Sequence, residues 1–319
     1  MKKILSGLAV AAAATAFAGS ASAADTTISG ASCFPKGTYF SKAMEKFIPD
    51  LNAANAGVKI NYVGGAPAIG SPFTLVQKAS KGVYGAVSCT GAYYQNVLTE
   101  VDALKLIEKD SEELRKNGGF ALMDKLHREK GLHYLGRIMS YVPFHLYLSK
   151  KIDKPDLKGL HLRVAPIYTA FFQAMGATTQ RSTIAEVYTY MENGTVAGYG
   201  WPVTGLLPDW HKVTKYRVDP GFYDADINVV VHLETWEKLT DAQRKGMTDM
   251  IIKYEGLAQG QKKEGVDAIA DQASKGIQAI TFTGADREKW LTTAREAGWA
   301  SVIKNSPQHG PELKKLFTN

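Results

Sequence analysis

The fold is decided by residues 26–89, which read TTISGASCFPKGTYFSKAMEKFIPDLNAANAGVKINYVGGAPAIGSPFTLVQKASKGVYGAVSC. Three segments have the short apolar alternation that is typical of strands: 26–32, 58–63 and 83–88. Two segments between them have apolar residues at helical spacing: 38–54 and 71–81. This β-α-β-α-β order predicts an α/β protein with a parallel, doubly wound sheet.

The two cysteines of the chain both follow strands of this segment. Cys33 lies just past the first strand, and Cys89 lies just past the third. In a sheet of order 2-1-3 these strands are neighbours about 4.8 Å apart, which is within reach of a disulfide. We therefore predict a Cys33–Cys89 disulfide at the carboxyl edge of the sheet, where such folds bind ligands. Two unpaired thiols brought together by topology are the alternative.

The amino terminus reads as a secretory signal peptide over residues 1–23. It begins Met-Lys-Lys, continues as an apolar run of small residues and ends in Ala21-Ser22-Ala23. The run is too short for a membrane span, and no later segment approaches the roughly 20 apolar residues that a span needs. We expect a bacterial protein of the periplasm, an oxidising compartment that favours the disulfide.

Composition and motifs exclude several classes of function. The formal charge of +7 falls by two when the leader is removed, and Lys and Arg are scattered, so we expect no nucleic-acid partner. The sequence has no HExxH, GxSxG, P-loop or CxxC motif, and its seven histidines show no metal-ligand spacing. We therefore predict no enzymatic activity, no cofactor and no metal.

The stretch LKGLHLRVAP, residues 157–166, places Arg163 in a strand that otherwise has the pattern of a buried one. Either this arginine points into water from one edge, or it holds an anion at the mouth of a sheet. Aromatic residues also follow the predicted strands at positions expected to be loops: Phe34, Tyr39, Tyr93, Tyr94 and Trp201. Such a cluster is either core or a surface for a ligand.

Residues 156–202 resemble the solute-binding proteins of TRAP transporters, the tripartite ATP-independent periplasmic carriers. The family pattern D-L-K-G-x-K-x-R corresponds to residues 156–163, and a Gly-Ala pair, an E-V-Y segment and a V-D-G-x-x-N-P segment follow at 176–177, 186–188 and 196–202. Further similarity lies at 64–87, 129–136 and 212–239, so the resemblance spans almost the whole mature chain.

The resemblance implies a two-lobed periplasmic-binding-protein fold, in which each lobe is a doubly wound sheet flanked by helices and the ligand cleft lies between the lobes. We assign residues 24–142 plus 232–272 to lobe I and residues 143–231 plus 273–319 to lobe II. The implied function is a receptor that delivers a small organic acid to the transporter's membrane subunits. We expect it to act as a monomer.

In the family, the arginine of the strand motif holds the substrate carboxylate, and here that residue is Arg163. The family's ligand-facing Asn is replaced by Trp201, its Asp-Gly pair by Ala197-Gly198, and a second arginine found in several members by His145. These departures favour a monocarboxylate with an aromatic or apolar body over a dicarboxylate, with a sulfonate as the less favoured head group. Because Gly200 and Pro202 flank Trp201 where some relatives have a metal-ligating Glu, no metal is expected.

The complete set of candidate ligand-binding residues is Arg163, Trp201, His145, Phe34, Tyr39, Tyr93, Tyr94 and Thr90. Two other functions remain open on the sequence: a receptor of the same fold for a sensor or another transporter type, and a secreted enzyme acting on a carboxylated substrate. No nucleophile-base pair supports the enzyme. A purely structural protein would have no deep polar cleft.

Overall fold

The computed structural model describes residues 25–319, so the predicted signal peptide lies outside the described residues. The strands are β1 (Thr26–Ser32), β2 (Val58–Gly65), β3 (Ala86–Cys89), β4 (Leu132–Leu148), β5 (His161–Val164), β6 (Thr178–Arg181), β7 (Gly198–Pro202), β8 (Tyr216–Asp219), β9 (Asp224–His232) and β10 (Gln278–Thr281). The α-helices are α1 (Tyr39–Ala53), α2 (Leu75–Ala79), α3 (Ser111–Asn117), α4 (Gly119–Arg128), α5 (Thr169–Ala174), α6 (Val187–Glu192), α7 (Trp210–Val213), α8 (Leu233–Lys238), α9 (Asp241–Leu257), α10 (Gln261–Ser274), α11 (Gly284–Asn305) and α12 (Gly310–Phe317). This mixture confirms the predicted α/β class.

The first sheet has the strand order β2-β1-β3-β9-β4. β1 is parallel to both β2 and β3, as the order 2-1-3 requires, and β9 is antiparallel to β3. Gly30 on β1 leaves room for the side chain of Ile60 on β2, since a Cβ at position 30 would lie 2.4 Å from it, while Met44 of helix α1 would be at an ordinary contact distance of 3.7 Å. The predicted doubly wound start of the chain is confirmed.

The second sheet contains β7, β5 and β6 in that order beside the end of β4, and β8 pairs with β4 and β10. β4 belongs to both sheets: its first part pairs with β9 and its last part, from Phe144 to Leu148, pairs with β7. The apolar patterns of residues 132–139 and 142–148 predict two separate strands here, whereas the structure has one. The chain bends within it, because Tyr141 has a φ of +61° and the register with β9 shifts between Met139 and Val142.

The pairing of strand β9 does not follow the lobe boundary predicted at residue 231. The prediction placed residues 224–231 in lobe II, but β9 pairs with β3 inside the first sheet. The C-terminal helix α12 likewise contacts helix α3, which the prediction placed in lobe I, since the amide of Asn117 donates to the carbonyl of Leu316 at 2.8 Å. The apolar pattern of β9 identifies a buried strand, but the identity of its neighbour is a non-local property that the pattern does not carry.

The disulfide prediction is confirmed. Cys33 and Cys89 are bonded, with their Cα atoms 5.0 Å apart, and they join the loop after β1 to the end of β3. Both cysteines are buried at the carboxyl edge of the parallel strands. Within residues 25–319, none of the helices combines the length and the hydropathy needed to cross a membrane.

Candidate ligand-binding site

A small cavity of about 30 Å³ lies where the carboxyl ends of the parallel strands of the two sheets face each other. The first sheet and helix α1 contribute Phe34, Phe40, Thr90, Ala92, Tyr93, Ala225, Asp226 and Ile227 to its walls. The second-sheet side contributes Phe144, Ala165, Tyr168, Trp201 and Pro202. Carboxyl ends of strands are where open α/β sheets bind ligands, so this cavity is the candidate binding site.

Aromatic rings form most of the cavity wall. The ring of Phe34 lies 5.2 Å from that of Phe40 and 5.5 Å from that of Tyr93. The ring of Phe40 meets the indole of Trp201 edge-on at 5.6 Å, which brings an α1 side chain into contact with a β7 side chain. The indole N–H of Trp201 donates to the carbonyl oxygen of Gly205 at 3.2 Å, so the indole offers its ring to the cavity rather than its donor. These walls suit a flat or apolar body.

Arg163 is completely buried, which rules out the reading in which it points into water. It lies on β5 between β6 and β7, where Leu162 and Val164 are buried with it. Its Nε donates to the hydroxyl of Ser182 at 3.3 Å, and its Nη2 donates to the Ser182 carbonyl oxygen at 2.6 Å. Its Nη1 donates to the phenol oxygen of Tyr168 at 3.2 Å, and Tyr168 lines the cavity.

Arg163 forms no salt bridge with a carboxylate of the described residues. Among residues 25–319, no carboxylate lies within 4 Å of its guanidinium, and three hydrogen bonds use three of its five N–H groups. A buried charge without a counter-ion is costly, so this site favours an anion. Burial raises the pKa of the Tyr93 phenol, and the positive charge of Arg163 opposes that rise.

Asp226 is a cavity residue that the sequence analysis missed. It is buried on β9, its Oδ2 accepts a hydrogen bond from the backbone N–H of Gly91 at 2.8 Å, and the amide of Asn228 also donates to Oδ2. Burial raises the pKa of this carboxyl group. The sequence feature that could have identified Asp226 is the segment DADINVVVHL, in which acidic residues interrupt an otherwise apolar strand.

The structure brings five of the eight predicted ligand residues to the cavity or to its immediate edge. Phe34, Thr90, Tyr93 and Trp201 line it, and Arg163 is one hydrogen bond behind Tyr168.

The other three predicted residues lie elsewhere. His145 has its Nδ1 2.9 Å from both the Val218 carbonyl oxygen and the Asp219 carboxylate, while its strand neighbour Phe144 lines the cavity. Successive strand residues face opposite sides, so the one-residue difference reverses the side chain.

Tyr39 and Tyr94 also lie outside the cavity, each next in sequence to an aromatic residue that lines it. The phenol of Tyr39 donates to Glu264, while the next residue, Phe40, lines the cavity. Tyr94 is buried with its hydroxyl 3.2 Å from His127 Nε2, while Tyr93 lines the cavity. In each pair the residue type indicated an aromatic wall correctly, but the sequence did not determine which neighbour faces inward. Among the described residues, no group of three or more His, Cys, Asp or Glu side chains could hold a metal ion.

Comparison with known proteins decides the family. The family described as bacterial extracellular solute-binding protein, family 7 (DctP) matches residues 37–305. The chain belongs to this family. This match confirms the family resemblance found in the sequence. It also confirms the predicted class of protein, a binding protein rather than an enzyme, and the predicted location in the periplasm.

Curated relatives of this DctP-family chain are distant. It is 26% identical over 231 residues to the C4-dicarboxylate-binding periplasmic protein DctP of Rhodobacter capsulatus, covering 68% of this chain and 64% of the relative. It is 23% identical over 180 residues to a solute-binding protein of Roseobacter denitrificans, covering 55% of this chain and 54% of the relative. The chain thus spans less than two thirds of the length of these relatives.

Solved structures confirm the two-lobed fold over most of the chain. A TRAP periplasmic solute-binding protein of Desulfovibrio salexigens with bound orotic acid has a TM-score of 0.78 at 20% identity, covering 92% of this chain and 97% of that one. DctP7 of Bordetella pertussis, a receptor binding pyroglutamic acid, has a TM-score of 0.77 at 17% identity, covering 92% and 99%. A Haemophilus influenzae TRAP protein with bound L-gulonate has a TM-score of 0.77 at 18% identity, with the same coverage.

Proposed function

We propose that this protein is the solute receptor of a TRAP transporter and that it binds a small organic monocarboxylate with a flat body. The observation that carries the proposal is Arg163: a fully buried guanidinium, without a carboxylate partner in the described chain, that is hydrogen-bonded to a residue of the cavity wall. A planar guanidinium matches a carboxylate with two parallel hydrogen bonds, and a dry site strengthens them.

The aromatic wall supports a flat body for the ligand. Phe34, Tyr93 and Trp201 present ring surface to the cavity, and none of its lining residues is an arginine or lysine that could hold another carboxylate. Trp201 stands where the resemblance has an Asn, which fits a ligand with fewer polar groups. Orotic acid, a flat ring with one carboxylate, is bound by the Desulfovibrio relative.

Delivery to membrane subunits follows from the family rather than from this chain's geometry. We propose that the two lobes are built around the two sheets, that they close over the ligand, and that the closed receptor then docks on the transporter's membrane subunits. Phe40 on the first-sheet side and Trp201 on the second-sheet side touch across the cavity, as expected for a closed form. The guanidinium of Arg181 lies 4.2 Å above the ring of Phe73, which adds a second such contact.

The test is a thermal-shift panel on the mature protein. Orotate and benzoate represent flat monocarboxylates, succinate represents dicarboxylates, and benzenesulfonate carries the alternative head group. A ligand at 100 times its Kd stabilises the fold by about 2.7 kcal/mol, which is readily seen. We expect stabilisation by flat monocarboxylates and its loss in Arg163→Gln. A larger shift with succinate would overturn the ligand class, and no shift with any anion would overturn the receptor.

A further inference from the structure

The side chain of Asp226 lines the cavity, and an ionised acid cannot help to bind a carboxylate. Like Arg163, Asp226 is buried, with an exposed fraction of 2%. It lies on β9 of the first sheet, whereas Arg163 lies on β5 of the second. The cavity thus has a buried acid in its first-sheet wall, and a buried cation lies behind Tyr168 on the second-sheet side.

The two oxygens of Asp226 have different surroundings. Oδ2 accepts from the Gly91 backbone N–H and from the Asn228 amide, so its acceptor capacity is used. Among residues 25–319, Oδ1 accepts a hydrogen bond from the hydroxyl of Thr90 at 3.5 Å, which is at the limit of a hydrogen bond. Thr90 and Asp226 both line the cavity. Oδ1 is therefore an acceptor with spare capacity at the wall.

No cation of the described residues is in contact with this carboxylate, although the charges of Arg137 and Lys105 act on it at longer range. Among residues 25–319, no Lys, Arg or His nitrogen lies within 4 Å of Asp226, and Lys105 nearby is paired with Asp102 at 2.6 Å. An acceptor buried without its partners costs free energy, so a ligand that donates a hydrogen bond to Oδ1 gains more here than it would in water.

We propose that Asp226 is a specificity-determining residue that accepts a hydrogen bond from an N–H group of the ligand, so that the ligand carries both a carboxylate and an amide, ring or ammonium N–H. This inference rests on the proposed function, because it presumes that Arg163 holds the carboxylate. An N–H that meets the carboxylate stabilises its ionised form and so opposes the rise in its pKa that burial causes. An acid without an N–H leaves Oδ1 unsatisfied.

The experiment compares matched acids that differ only in this group. Pyrrole-2-carboxylate and furan-2-carboxylate have rings of the same size, with N–H in one replaced by oxygen in the other. Pyroglutamate and its lactone analogue, 5-oxotetrahydrofuran-2-carboxylate, form a second pair with a saturated ring. Calorimetry on the wild-type protein should show Kd values about tenfold lower, or better, for the N–H member of at least one pair, equivalent to about 1.4 kcal/mol.

Two variants identify the residue responsible. In Asp226→Asn the amide oxygen can replace Oδ2, and the amide N–H₂ then takes the place of Oδ1, so the N–H preference should vanish or reverse. Asp224→Asn is the matched control, because Asp224 lies two residues earlier on β9 and lines a different cavity. It should retain the preference. Circular dichroism and thermal melts establish that both variants are folded.

The outcomes separate this inference from the receptor itself. Equal binding within both pairs, preference for the oxygen members, or a preference that survives Asp226→Asn would each overturn the role of Asp226. Preference for the oxygen members would mean that the carboxyl is protonated and donates. The receptor would still stand, provided that acids without an N–H bind and lose affinity in Arg163→Gln. If the N–H acids fail to bind while other carboxylates bind, the inference is also overturned.

Discussion

Arg163 donates a hydrogen bond from Nη1 to the phenol oxygen of Tyr168 at 3.2 Å, and Tyr168 donates in turn to the carbonyl oxygen of Gly200 at 2.7 Å. This chain links β5 to β7 and holds a buried guanidinium at the edge of the cavity. The close fit leaves no room for a side chain at Gly200, where a Cβ would lie 2.7 Å from the Tyr168 ring.

Tyr168→Phe is expected to weaken ligand binding more than it weakens the fold. The variant removes the acceptor that orients Nη1, and an unpaired buried donor costs about 1–3 kcal/mol. We expect a loss of stability of about 1 kcal/mol and a rise in Kd for flat monocarboxylates of about tenfold, measured by urea denaturation and calorimetry.

Tyr94→Phe is the matched control for this variant. Its hydroxyl is also buried and bonded, to His127 at 3.2 Å, but it does not line the cavity. It should lower stability by a similar amount and leave the Kd unchanged. Equal effects of the two variants on affinity would contradict the positioning role of Tyr168.

Trp201→Asn restores the residue type that the family resemblance has at this position. Loss of the buried indole, with its contacts to Phe40 at 5.6 Å and Trp210 at 4.9 Å, should lower stability by about 3 kcal/mol. The affinity for flat acids should fall relative to that for succinate, because only flat acids use the ring surface. An unchanged ratio of the two Kd values would show that Trp201 does not select the body of the ligand.

Removal of the disulfide should destabilise the protein without changing its ligand class. The bond between Cys33 and Cys89 closes a loop with a sequence separation of 56 residues, and loss of such a cross-link costs about 2–5 kcal/mol. We expect the double Cys→Ser variant to melt at a lower temperature and to keep the same order of ligand preference. Reductant should have the same effect on the wild type and none on the variant.

Acid should destabilise the protein through His127. Burial lowers the pKa of this imidazole from 6.5 to about 4, and its Nδ1 lies 2.7 Å from the Met123 carbonyl oxygen. Because the folded-state pKa is depressed, the stability is complete above pH 6.5 and is lost as the pH falls towards 4, by about 3 kcal/mol in all.

Urea denaturation at pH 7.5 and 4.5 measures this loss. His127→Gln has no group that titrates there, so the difference in stability between the two pH values should shrink by about that amount. A pH dependence identical to that of the wild type would contradict the assignment to His127.

The features that the sequence predicted correctly depend on patterns among residues close together in the chain. The alternation in β1, β2 and β3 indicated a parallel sheet, and the positions of Cys33 and Cys89 at the ends of neighbouring strands followed from it. The predicted loops at the carboxyl edge, with Phe34, Thr90 and Tyr93, do face the cavity.

The missed features depend on contacts between distant segments. β4 is buried on both faces, so its composition does not tell which of Phe144 and His145 meets the other sheet. Asp226 belongs to the cavity because β9 lies beside β3, more than 130 residues earlier in the chain. That pairing carries no local signal, so the sequence did not show that residues 224–231 lie beside the first sheet.

The central claim is that a buried arginine without a protein counter-ion binds the ligand's carboxylate. The most direct measurement is calorimetry of a flat monocarboxylate with the wild type, Arg163→Gln and Arg217→Gln. Arg217 is a buried arginine outside the cavity that is paired with Asp219 at 2.8 Å, so it reports general damage. We predict one-to-one binding by the wild type, a loss of about 100-fold or more in Arg163→Gln, equivalent to about 2.8 kcal/mol, and little change in Arg217→Gln. Equal affinity in the wild type and Arg163→Gln would contradict the account.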